Sequence, residues 1–201
     1  MKRVHIGAAG LAVGLAAAAS LIAPALAGAH ATVSPFQPQS TPLTAARTLY
    51  VLRVPNEKPK QPTYKVILHV PAAVQEAISV RQVSDWKVRL TRKDTGRKDP
   101  EGNPAYAVTA ISWTAKRGAQ IEPGFFGEFY FRFSNPAAAQ RICFPVLQYY
   151  RGEASTKKSA KRSAKKKRRA SEKPEIVSWI GPPDAEFPAS CVNVAAAPPA
   201  A

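Results

Sequence analysis

The sequence predicts an all-β protein, an immunoglobulin- or cupredoxin-like sandwich of two β-sheets. Short runs rich in Val, Ile, Phe, Tyr and Trp recur along the chain, and each is bounded by Pro, Gly, Asn or Asp, as β-strands usually are. After residue 29, a helical apolar period is suggested only by a turn near residues 72–77. Seven or more short strands at this spacing are typical of a sandwich, and about 120–140 residues of strand and turn suffice for one core.

The strands can be placed in order along the chain. The run Arg47–Pro55 alternates polar and apolar residues and stops at a proline. Further strand-like runs lie at residues 64–71, 79–83, 86–91, 106–114, 127–133, 141–150 and 175–180. Residues 94–104 are rich in Asp, Gly, Asn and Pro, which predicts a long turn. The last two runs are predicted to form a hairpin, interrupted by a basic flexible insertion at residues 153–174, because a Lys/Arg/Ala/Ser segment cannot bury a core.

The chain is strongly basic, but most of its charge lies in one segment. Its 201 residues carry 29 Lys and Arg against 13 Asp and Glu, a net charge of +16. Residues 157–173 account for +9 and the first three residues for +2, so the rest of the chain carries only +5. Because the basic run has no interleaved aromatic residues on which bases could stack, no nucleic-acid partner is expected. Binding of an anionic polymer by this run remains open, since such runs gain affinity by counterion release.

Residues 1–29 have the pattern of a secretory signal peptide. Lys2 and Arg3 precede an Ala-rich apolar stretch, which closes with the small residues Ala-Leu-Ala-Gly-Ala. Cleavage after Ala27 and cleavage after Ala29 both fit this pattern, and only the second makes His30 the first residue. The mature protein is therefore expected to be exported, to the periplasm, the cell envelope or the extracellular space.

One domain is expected over residues 30–192, followed by a disordered tail at 193–201. Export would place Cys143 and Cys191 in an oxidising compartment, where a disulfide between them would tie down the C-terminal segment. Two separate buried thiols are the alternative. Two cysteines are in any case too few for a four-cysteine zinc site.

Two histidines follow the predicted signal peptide, and their chemistry differs. His69 alternates with the apolar residues of its strand, so it is expected on the surface. Cleavage after Ala29 would give His30 a free α-amine beside its ring Nδ1, and these two nitrogens can close a chelate ring on one metal ion. Such a pair suits Cu(II), which heads the divalent affinity order. A frayed terminus with an incidental histidine is the alternative.

Several short motifs occur in a fixed order from residue 30 to residue 179. They are H-x-T-V-x-P at 30–35, R-V-P-N-E at 53–57, I-x-W at 111–113, I-x-P-G at 121–124 with Glu128-Phe129 after it, and Gln148 to Gly152 followed by a strand bearing Trp179. In this order they resemble the pattern of the YcnI-like copper-binding family of exported bacterial proteins. The sequence departs from that pattern at Phe125, which replaces a glutamate, and at Asp85, which replaces the glycine of a G-W step. The stretch from Gln148 to Gly152 is also one residue shorter than the pattern's Q-x-Y-x-x-G.

The resemblance implies a β-sandwich with a Cu(II) site built from one N-terminal histidine, a "monohistidine brace", which is His30 here. It also implies a tryptophan, matched by Trp179, and a carboxylate at the metal. Glu57 is favoured as the carboxylate, because antiparallel pairing of the first segment with Arg47–Pro55 would bring His30 near it. Glu128 is the alternative. The other two tryptophans are assigned to the core.

The predicted function is that of an exported copper-binding protein, not an enzyme, that holds one Cu(II) for copper trafficking or homeostasis. The copper ion and a copper-transport membrane protein are the expected partners. One alternative is an adhesion module that binds anionic envelope polymers through the basic run. Another is a copper-dependent oxidative enzyme, which would need a second histidine beside the first, and only the strand residue His69 is available.

Overall fold

The computed structural model describes residues 30–37, 40–76, 78–152 and 173–198, and this part of the chain is built from β-strands. Its helical structure is one 3-10 turn at Ala72–Val74, close to the predicted turn. None of the described residues belongs to a helix long and apolar enough to cross a membrane. The strands are β1 (Thr32–Pro35), β2 (Arg47–Pro55), β3 (Thr63–His69), β4 (Ser79–Val80), β5 (Trp86–Lys98), β6 (Pro104–Ala115), β7 (Phe126–Ser134), β8 (Gln140–Phe144), β9 (Val146–Tyr150), β10 (Glu175–Trp179) and β11 (Ser190–Val194).

The strands form two main antiparallel sheets and a small ribbon. The first sheet has the order β1-β2-β7-β4, and the second has the order β10-β9-β3-β6-β5. Strands β11 and β8 pair with each other. This ribbon lies against β1, where the Val33 backbone N–H donates to Ser190 Oγ at 2.7 Å. The predicted β-sandwich is therefore confirmed.

The core lies between the two main sheets and is filled by alternate residues of each strand. From the first sheet it receives Tyr50, Leu52 and Val54 of β2 and three of the four phenylalanines of β7, Phe129, Phe131 and Phe133, all of them buried. The second sheet contributes Trp113, which is fully buried. Both tryptophans assigned to the core, Trp86 and Trp113, lie there, and His69 is exposed as expected.

Several predicted boundaries are wrong, and two of them change the order of strands and turns most clearly. The predicted turn at residues 94–104 is shorter, because β5 continues through Lys98 and the turn closes where the Asp99 N–H donates to the Asn103 carbonyl at 2.8 Å. The end of β5 is largely exposed, so its residues can be polar and show no apolar alternation. The predicted strand at 141–150 is two strands, β8 and β9, because Pro145 lacks the N–H that a continuous ladder requires.

The C-terminal segment is more ordered than predicted. The prediction of a disordered tail from residue 193 is wrong for residues 193–198, because β11 runs to Val194, which is buried, and the Ala195 N–H donates to the Pro42 carbonyl at 2.9 Å. Cys191 pairs with Cys143 across β11 and β8, and the two form the predicted disulfide, with Cα atoms 3.9 Å apart.

The predicted hairpin is formed by β9 and β10, in which Glu175 pairs with Tyr150. Most of the insertion between these strands, residues 153–172, lies outside the described residues, as does the predicted signal peptide at 1–29.

Candidate metal centre

His30 lies at the edge of the first sheet, two residues before β1 begins. Thr32 pairs with Arg53 in antiparallel register, which confirms the predicted pairing of the first segment with β2. Continuing this register brings His30 beside Pro55. The exposed side chain of His30 lines a shallow, largely apolar pocket of about 260 Å³ with Thr32, Arg53, Pro55 and Phe126.

Trp179 belongs to the second sheet and lies next to His30 at this edge. It is the last residue of β10, and its side chain is only 5% exposed. The centroids of the His30 and Trp179 rings are 5.4 Å apart, with a tilt of 55° between the ring planes. Phe187 packs edge-on against Trp179 at a centroid distance of 5.4 Å. Two of the three residues that the family resemblance assigns to the metal, His30 and Trp179, are therefore in ring contact, although they are far apart in the sequence.

A buried glutamine, Gln148, holds Trp179 in place. The indole N–H of Trp179 donates to Gln148 Oε1 at 3.1 Å, and Gln148 Nε2 donates to the Pro55 carbonyl at 2.7 Å and to Thr63 Oγ1 at 2.8 Å. One fully buried side chain thus joins β10, β3 and the end of β2. Gln148 begins the motif at residues 148–152, but the sequence pattern assigns it no role. A buried amide needs partners for both of its ends, and Trp179 and Pro55 supply them.

Replacing Gln148 by leucine should loosen the contact between Trp179 and His30. The substitution leaves the indole N–H and the Pro55 carbonyl without their partner, and an orphaned buried group costs about 1–3 kcal/mol. We expect faster solvent exchange of the Trp179 indole proton, measured by NMR on the folded protein. Gln75→Leu is the matched control, because Gln75 donates to the Val70 carbonyl, away from β10. Unchanged indole exchange in Gln148→Leu would contradict this role.

Glu57 lies just beyond the His30 pocket, on the loop after β2. Pro55 and Phe126 line both that pocket and a neighbouring groove to which Glu57 contributes. The preceding residue, Asn56, is buried and fixes the loop, since its Nδ2 donates to the carbonyls of Gln61 and Ile121 at 2.9 and 2.8 Å. The Glu57 side chain is exposed. Glu57 is therefore an exposed residue on a firmly held loop.

The negative charge of Glu57 also affects the pKa of Tyr150. The pKa of Tyr150 is raised to about 12, chiefly by burial of its hydroxyl, and the negative charges of Glu175 and Glu57 contribute to this rise. Glu57 thus acts electrostatically on the β9–β10 hairpin, the same hairpin that ends at Trp179.

Glu128, the alternative carboxylate, is engaged by other residues. It lies on the outward face of β7, where Arg53 Nε donates to Oε1 at 2.8 Å and the Tyr130 hydroxyl donates to Oε2. The hydrogen bond from Tyr130 and, to a smaller extent, the hydrogen bond and positive charge of Arg53 lower the pKa of the Glu128 carboxyl. Arg53 also donates to Ser34 Oγ at 3.1 Å. A metal ion could recruit Glu128 only by displacing these partners.

No group of three or more His, Cys, Asp or Glu side chains that could hold a metal occurs within the described residues. A metal at His30 would therefore be bound by one imidazole with donors of other kinds. A nitrogen ligand completed by carboxylate oxygen fits Cu(II). The aromatic face of Trp179 can additionally attract a cation and exclude water.

Fold and site together define a class of protein, an immunoglobulin-like sandwich in which one histidine and one tryptophan meet at the edge of the sheets. A protein-family model described as "Domain of unknown function (DUF1775)" matches residues 30–177. The chain belongs to this family, and the resemblance to the YcnI-like family is thereby confirmed.

A curated relative and a solved structure are similar to this chain. The copper-binding protein CutI of Bacillus subtilis (strain 168) is 27% identical over 171 residues, which cover 85% of this chain and 65% of that protein. The chain thus spans less than two thirds of the length of this relative. An uncharacterized Nocardia farcinica protein with an immunoglobulin-like fold superposes with a TM-score of 0.59 at 21% identity, over 83% of this chain and 98% of that one. This likeness confirms the immunoglobulin-like fold.

Proposed function

We propose that this protein is an exported copper-binding protein that holds one Cu(II) at His30, the first residue after signal cleavage, and hands it to a copper-transport protein of the membrane. The observation that carries the proposal is the contact between His30 and Trp179 at 5.4 Å. The similarity to a copper-binding relative supports the choice of metal. The Cys143–Cys191 disulfide supports export, because such bonds persist in oxidising compartments.

Each residue has a distinct role in the proposed site. The α-amine and ring Nδ1 of His30 form the chelate, and Glu57 supplies a carboxylate oxygen. Trp179 covers the ion with its ring and keeps water away. Because its N–H is donated to Gln148, the indole presents its π face rather than a ligand atom. The amine must lose its proton to bind, so affinity falls in acid. This role in holding copper requires no catalytic residue.

Two carboxylate variants test the proposal. Native mass spectrometry of the chain that begins at His30 should show one Cu(II) per molecule. Glu57→Gln should weaken binding at least about tenfold, the scale on which lost groups around a metal act. Glu128→Gln should leave the copper affinity unchanged and cost at most about 1 kcal/mol, because Glu128 and Arg53 form a partly exposed pair.

A competition titration against a Cu(II) chelator measures both variants under the same conditions. Loss of binding in Glu128→Gln with retention in Glu57→Gln would overturn the assignment of Glu57. Two or more equivalent ions per chain, or none, would overturn the site itself.

A further inference from the structure

The outward face of the first sheet carries four arginines and one acid. The arginines are Arg47 and Arg53 of β2, Arg132 of β7 and Arg81, which follows β4, and the acid is Glu128. Arg53 forms an ion pair with Glu128. Among the described residues, Arg81 and Arg132 belong to no ion pair. We call Arg47, Arg81, Arg132 and the Ser79 between them the arginine face.

Two guanidinium groups of the arginine face meet at a single hydroxyl. Arg132 lies directly opposite Ser79 in the β4–β7 register, and its Nε donates to Ser79 Oγ at 3.0 Å. Arg47 Nη2 donates to the same oxygen, also at 3.0 Å. A hydroxyl oxygen has two lone pairs, so Ser79 accepts from both cations at once. Two like charges are thus brought together by one neutral acceptor.

Arg81 extends the arginine face along β4. Its backbone N–H donates to the Tyr130 carbonyl at 2.9 Å, and its guanidinium lies over the Tyr130 ring, 5.2 Å from the centroid. Side chains two residues apart on an extended chain point the same way, so Arg81 and Ser79 share one face. The aromatic contact leaves the N–H groups at the edge of the guanidinium for another acceptor.

An open groove of about 250 Å³ lies among these side chains, lined by Ser79, Arg81, Tyr130 and Arg132, with Leu49 beside them. Among the described residues, Arg81 and Arg132 have no carboxylate partner on this face, because Glu128, the acid of these four strands, is bound to Arg53 and Tyr130. A multiply charged anion would relieve the repulsion among the guanidinium groups.

We propose that the arginine face binds a phosphate group of a soluble ligand. Phosphate carries more charge than a carboxylate and offers several oxygens, so it can accept from two or three guanidinium groups at once, and arginine forks match its geometry. The phosphate takes the acceptor position that Ser79 Oγ occupies between Arg47 and Arg132. This site is separate from His30 and does not depend on the proposed copper function.

The probes are inorganic phosphate and pyrophosphate, added to copper-free protein at constant ionic strength. We expect NMR shifts at the backbone amides of Ser79, Arg81 and Arg132. Arg132→Gln and Arg81→Gln should each weaken pyrophosphate binding about tenfold, the loss of one charge-assisted hydrogen bond. The matched control is Arg89→Gln, which removes an exposed arginine from β5 of the other sheet and should change nothing.

Three results would overturn the proposal. The first is shifts confined to residues outside the arginine face, such as the basic run. The second is equal weakening by Arg89→Gln and Arg132→Gln, which would indicate unspecific charge. The third is that binding to phosphatidylglycerol vesicles depends on Arg132 while binding of pyrophosphate does not. This result would assign the arginine face to a lipid headgroup. Thermal melting of each variant confirms that it is folded.

Discussion

A chain with additional residues before His30 should bind Cu(II) at least about a hundredfold more weakly than the chain that begins at His30. The extension turns the α-amine into an amide nitrogen, which is no longer basic and cannot close the chelate ring with Nδ1. Changes around a metal that spare its ligands already cost 10–100-fold in affinity, so losing a ligand should cost more. The measurement is a competition titration with a Cu(II) chelator, followed by electron paramagnetic resonance of the bound ion.

The two candidate cleavage sites supply the matched pair for this experiment. One chain begins at Gly28, as after a cut behind Ala27, and the other begins at His30. His69→Ala is the control for imidazole in general, because His69 is exposed on β3 and should leave affinity unchanged. Equal affinity of the Gly28 and His30 chains would show that the amine is not a ligand. It would also remove the reason for assigning the brace to this protein.

The sequence was most informative where strands are buried on one face. In β2 the inward Tyr50, Leu52 and Val54 recur at every second position and the run stops at Pro55, so the predicted bounds agree with the structure. The end of β5 has no buried face, and its polar residues resembled a turn. Strands β1 and β11 are only four and five residues long, too short for a periodic pattern to stand out.

The candidate site was less accessible to sequence reasoning, because it is assembled across the sandwich. The register of β1 on β2 could be inferred from pairing, which located His30 near the end of β2. Trp179 could be connected to His30 only through the family resemblance, since the two residues come from opposite ends of the chain and different sheets. The role of Gln148 depends on the geometry of three strand ends, and no local pattern encodes it. The arginine face likewise gathers side chains from three strands.

Removing the disulfide should destabilise the domain more than any single surface substitution. Cys143 and Cys191 are 48 residues apart, and closing a loop of that length is worth about 4 kcal/mol in the chain-entropy model, with measured values commonly 2–4 kcal/mol. Cys143 is exposed and Cys191 half-buried, so replacing both by serine creates little cavity and isolates the effect of the cross-link. We expect the free energy of unfolding to fall by about 2–4 kcal/mol, and Tm by about 2–4 °C for each kcal/mol.

Loss of the disulfide should have a local effect as well as a global one, because the cross-link connects β8 to β11 and this ribbon packs against β1. Ser190, the residue before Cys191, accepts from the Val33 N–H and donates to the Val33 carbonyl, so fraying of β11 loosens the strand that follows His30. Amide exchange of Val33 should therefore rise more than that of β3, which lies in the other sheet. Dithiothreitol should lower the Tm of the unmodified protein towards that of Cys143→Ser/Cys191→Ser and leave the double variant unaffected. If the reduced and oxidised proteins melt at the same temperature, the disulfide contributes nothing to stability. The ribbon is then held to β1 by its hydrogen bonds and by the buried side chains of Val192 and Val194 alone.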